Sequence, residues 1–99
     1  MGRYNKLGQK SYFLVCMSEK IEERVKKDIS AFSENLEMLR GIALPEDLEK
    51  IRELAKMYAE DAHSYMEKGD LVTSFSCISY AHGLLDAVLK IMKVDKYGI

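Results

Sequence analysis

From residue 18 onward, apolar positions recur along the chain at intervals of three and four, in three separate blocks. In the first block Ile21, Val25, Ile29, Phe32, Leu36 and Leu39 fall on one helical face. Ser18, followed by Glu19 and Glu22, has the chemistry of a helix N-cap with acids in the first turn, and Gly41 suits the residue just past a helix end. The pattern predicts a helix over about 18–40. In the second block Leu48, Ile51, Ala55, Tyr58, Ala62 and Tyr65 form the stripe, widened by Leu54 and Met66. Pro45, Glu46 and Asp47 favour a helix start and Gly69 a stop, so a second helix is predicted over about 45–68.

The third block differs from the other two. Asp70 is a strong N-cap candidate, and from Leu71 to Leu85 no Asp, Glu, Lys or Arg occurs. One stripe runs through Leu71, Phe75, Ile78, His82, Leu85, Leu89 and Met92, and an adjacent one through Cys77, Ala81, Leu84, Val88 and Ile91. Together they exceed the single face that a surface helix needs, so the helix predicted over about 70–93 is expected to be the buried one. A further strip, Val72, Ser76, Ser79 and Gly83, is small rather than charged, and is read as an interface where another helix, of this chain or of a second subunit, comes close.

The two residues Gly69 and Asp70 leave room only for a tight turn, which makes the second and third helices an antiparallel hairpin. The expected fold is therefore all-α, an antiparallel three-helix bundle in one domain over residues 18–99. Residues 1–17 are set apart as an N-terminal extension. Because Met17 stands directly before Ser18, one reading makes Met17 the true start; the other lets Tyr12 to Met17 pack as a short strand or helix.

Composition adds limits to this picture. With 99 residues, 47% of them hydrophobic and 31% charged, the chain fits a soluble globular domain. The net charge is −1, which does not favour a phosphate-binding surface. Charge is uneven, however: residues 1–17 hold three bases and no acid, whereas residues 41–68 hold four bases and seven acids. Cys16 and Cys77 lie in apolar surroundings without metal-ligand spacing, and are read as reduced thiols of a cytoplasmic protein. The apolar run before Ser18 is too short for a secretory signal and has no cleavage site after it.

The segment from Tyr58 to Ala87 carries a pattern of its own. Tyr58, Asp61, Ala62, Tyr65, Gly69 and Asp70 are followed by the octapeptide Tyr80, Ala81, His82, Gly83, Leu84, Leu85, Asp86 and Ala87. In these residues the chain resembles the short archaeal proteins known as domain of unknown function 357. The resemblance implies a small all-helical protein and brings no activity, ligand or catalytic residue with it.

Chemistry is sparse. His82 and Asp86 lie one helical turn apart, and a hairpin turning at residues 69 and 70 brings Tyr58 and Asp61 to a similar level. A buried polar cluster of Tyr58, Asp61, His82 and Asp86 is expected, structural rather than metal-binding. Ser74, Ser76 and Ser79 lack the glycine-flanked elbow of a nucleophile, and no phosphate-binding glycine loop is present. No enzyme, cofactor or metal is expected. The function that fits is a non-enzymatic protein-interaction or adaptor module that docks a protein partner or a second copy of itself, with no membrane contact. The alternative is a nucleic-acid-associated accessory protein that uses Arg3, Lys6 and Lys10, with Lys90, Lys93 and Lys96 in support.

Overall fold

The computed structural model of the chain describes the backbone of residues 12–94 and the side chains of residues 20–94. Three helices make up this part: α1 (Tyr12–Glu37), α2 (Glu46–Glu67) and α3 (Leu71–Ile91). They pack on one another as an all-α three-helix bundle, most closely between α2 and α3, next between α1 and α3, and least between α1 and α2.

The main departure from expectation is the start of α1. Ser18 stands inside the helix and does not cap it, because the helix already begins at Tyr12. No Gly or Pro interrupts residues 12–17. A serine costs only about 0.5 kcal/mol in a helix interior, so a local capping preference gives way to a continuous hydrogen-bonded backbone. The backbone of Tyr12 to Met17 is thus helical. At its other end α1 passes at Glu37 into tight turns, in which the amides of Met38, Leu39 and Arg40 each reach back three residues. Gly41 then takes a positive φ of 79°, as a chain-reversing residue after a helix should.

Helix α2 follows Pro45 directly, and Glu46, Asp47 and Glu49 complement its positive end. Its end is a Schellman turn: Gly69, at φ 83°, donates its amide to the Met66 carbonyl, and the amide of Asp70 reaches the Tyr65 carbonyl at 2.9 Å. Asp70 at once opens α3, its carboxylate accepting from the Thr73 amide at 3.1 Å. One residue thus finishes one helix and starts the next, and the tight antiparallel hairpin follows from that.

The end of α3 repeats the device without glycine. Lys93 sits at φ 57°, its amide on the Lys90 carbonyl, and the Val94 amide reaches Leu89 at 2.9 Å. Val94 is half-buried against the core, which supplies the apolar contact that accompanies such a turn.

The core draws on all three helices. Val25, Phe32 and Leu39 come from the α1 segment and its turn, Leu48, Ala55 and Ala62 from α2, and Ile78, Ala81, Leu85, Val88 and Leu89 from α3. Small side chains at the α2–α3 contact, Ala55, Ala62, Ser74 and Ala81, are each wholly buried and let these two backbones lie close. By length and composition α3 is apolar enough to cross a membrane; here it lies against α1 and α2.

Candidate functional site

His82 lies on the flank of α3 that α1 covers. Its Nε2 is 2.7 Å from the backbone carbonyl of Asp28. A carbonyl only accepts, so Nε2 carries the proton and donates it. Phe32 of α1 meets the imidazole edge-on, with ring centres 5.9 Å apart and planes at 88°. Both neighbours come from α1, and the histidine ties that helix to α3 across 54 positions of sequence.

The expected cluster of Tyr58, Asp61, His82 and Asp86 is therefore not assembled. Tyr58 packs edge-to-face on Tyr80, with centres 4.6 Å apart. Asp61 is exposed. Asp86, also exposed, pairs with Lys90 at 3.1 Å. The reason is rotational: Tyr58 and Asp61 project from the flank of α2 that faces away from α1, whereas His82 turns toward α1. Spacing along a hairpin gives the level of a residue but not the side to which it points.

Cys77 is half-buried and its thiol is free. Burial pushes the thiol above its ordinary range, and the nearby negative charges of Asp61 and Asp70 push it further. It stays protonated and weakly nucleophilic at neutral pH. Among the described residues, no three of His, Cys, Asp and Glu are grouped as a metal site. The basic residues Arg3, Lys6, Lys10 and Lys96 lie outside the described residues.

The strip Val72, Ser76, Ser79 and Gly83 is solvent-exposed throughout. No described helix covers it, and a Cβ added at Gly83 would meet nothing within 4 Å. The close helix approach within the chain is made on the opposite side of α3, by Ser74, a residue outside both apolar stripes. Its hydroxyl donates to the Ala62 carbonyl at 2.5 Å. A polar side chain in the middle of a charge-free segment was the available signal for it.

Around the exposed strip stand large apolar side chains. Val72 is 73% exposed, Phe75 38%, Tyr80 51% and Ile91 61%. Between the Asp70 cap and Leu85 this face holds no charge, and the two charges after it, Asp86 and Lys90, already neutralise each other. Beside it, a shallow cleft of about 300 Å³ opens where Lys20, Ile21 and Arg24 of α1 meet Val72, Phe75 and Ser76. A second, wider groove of about 460 Å³ separates α1 from α2, with Phe32 and Leu36 in its floor and Lys56, Glu60 and His63 on its rim.

The model of one protein family matches residues 27–93, the family described as protein of unknown function (DUF357). No curated protein matches the chain.

Proposed function

The chain belongs to the DUF357 family of proteins of unknown function, and from that premise we propose that it is a non-enzymatic protein-interaction module that binds through the outward face of α3. One observation carries this reading. Helix α3 is as apolar as a membrane span, yet only 28% of its most apolar window is buried within the chain. A helix that is apolar on most sides is ordinarily enclosed on most sides. Here α1 and α2 enclose one side, and the remainder, with Val72, Phe75, Tyr80 and Ile91 exposed and its charges confined to the Asp86–Lys90 pair, is surface of the kind that protein partners cover. A lipid surface suits this face less well, since Ser76, Ser79, Asp86 and Lys90 are spread along it.

The test is affinity capture of the tagged protein from its native cytoplasm, with and without nuclease, alongside the Tyr80→Lys variant. The expected result is a protein recovered in near-stoichiometric yield that survives nuclease and is lost with Tyr80→Lys. Recovery that vanishes entirely with nuclease would overturn the reading in favour of nucleic-acid binding by Arg3, Lys6 and Lys10.

A further inference from the structure

We infer that α1 is a strap that leaves the α2–α3 hairpin as one unit, swinging about Gly41 while the hairpin stays folded, so that the flank of α3 around His82 is alternately covered and uncovered. The inference concerns the inward side of α3 and does not depend on what binds the outward side.

The hairpin holds itself together without α1. Ala55 and Ala62 of α2 and Ser74 and Ala81 of α3 are wholly buried, and the Ser74 hydroxyl donates to the Ala62 carbonyl at 2.5 Å. Tyr58 and Tyr80 meet edge-on with centres 4.6 Å apart. Asp70 caps α3 while its amide closes the end of α2. The hydrogen bonds, the ring pair and the cap all have both partners within the hairpin, so none of them is lost when α1 departs. Two helices joined by so short a turn also close at little cost in loop entropy, which makes them a cooperative unit.

Helix α1 is held by much less. Among its described side chains only Val25 and Phe32 are buried, seven positions apart and therefore in one narrow line, which Leu39 continues in the turn that follows. Helix α3, which is shorter, buries six residues. Phe32 and Leu39 join the continuous core, whereas Val25 is buried apart from it. Among the described residues, the one side-chain hydrogen bond from the hairpin to α1 is that of His82 to the Asp28 carbonyl, at 2.7 Å. Clefts of about 300 Å³ on the α3 side and about 460 Å³ on the α2 side leave both flanks of α1 incompletely filled.

The link after α1 can supply the movement. Gly41 sits at φ 79° with open space around it, and it is exposed. Ile42 and Leu44, just beyond it, pack against the core. A change in the Gly41 dihedrals therefore moves α1 with Leu39 and leaves the start of α2 in place.

Native-state amide exchange of the full chain tests this, in the unaltered and Ser74→Ala proteins, with urea added below the unfolding transition. Protection of the α1 amides from Val25 onward is expected to be at least ten-fold below that of the slowest α3 amides, and to fall less steeply with urea because the opening exposes less surface. Ser74→Ala removes a bond present in both the closed and the open form. It should lower α3 protection about five-fold and leave α1 protection unchanged. Phe32→Ala weakens the closed form alone and should lower the protection of both helices. Equal protection of α1 and α3, or a Ser74→Ala effect of the same size in both, would mean that the three helices part together and would overturn the strap.

Discussion

Ser74 and Ala62 are joined across the hairpin by the one side-chain hydrogen bond that is wholly buried among the described residues, the serine hydroxyl lying 2.5 Å from the alanine carbonyl. Both residues are wholly buried where α2 packs on α3, and both are small enough to let the two backbones lie close. Ser74→Ala removes the bond while keeping the size, and should cost about 1 kcal/mol. Ser74→Leu keeps the helix propensity but overfills the contact, and should cost about 2–3 kcal/mol. Urea denaturation of the two variants checks the order; equal losses would mean that the contact tolerates volume.

His82 holds α1 to α3 through a backbone carbonyl. Replacing the side chain of Asp28 should therefore leave the link intact, and Asp28→Asn should change stability by less than about 0.5 kcal/mol. His82→Ala removes the bond and the contact with Phe32, and should cost about 2 kcal/mol. Amide exchange localises the effect: faster exchange is expected in α1, with the α2–α3 hairpin largely protected.

Lys93 occupies the left-handed region without being glycine, at φ 57°. Lys93→Gly relieves that strain and should raise stability by about 0.5–1 kcal/mol, seen as a higher melting temperature. Gly69→Ala makes the opposite change at φ 83°. Open space surrounds Gly69, so the cost is conformational alone, about 1 kcal/mol. A loss well above that would point to a steric role that the open surroundings exclude.

Cys77 should be slow to react. Its thiol is raised by burial and then by Asp61 and Asp70, so the reactive thiolate is scarcer at neutral pH than in a free cysteine peptide. A thiol with a raised folded-state value favours folding fully below its unfolded value, and that contribution is lost as pH rises through the folded one. Alkylation of a Cys16→Ser protein should lag a cysteine peptide at pH 7.5 and approach it only in clearly alkaline solution. Asp61→Asn should shorten the lag.

Much of this architecture was legible in the sequence because it is written locally. Gly69 and Asp70 specify their turn through their own backbone and side chain, and the charge-free run after them marks α3 as the helix that touches both others. Ser18 misled because a capping preference is a small local bias, and nothing between Tyr12 and Met17 stops a helix. His82 was placed in the right layer but against the wrong neighbour, since its partner depends on the rotation of α1 about its axis, which no single stripe encodes. Ser74 escaped notice because a polar residue was not counted toward a packing face.

Asp70 leaves the joint between α2 and α3 with no slack. It accepts from the Thr73 amide as the N-cap of one helix while its own amide closes the end of the other. An inserted residue would turn α3 by roughly a quarter of a revolution against α2, carrying Ser74 away from Ala62 and swinging Tyr80 off Tyr58. The link between α1 and α2, residues 38–45, carries no such double duty. Length variation among descendants of this chain should therefore accumulate before Pro45 and be purged at Gly69 and Asp70.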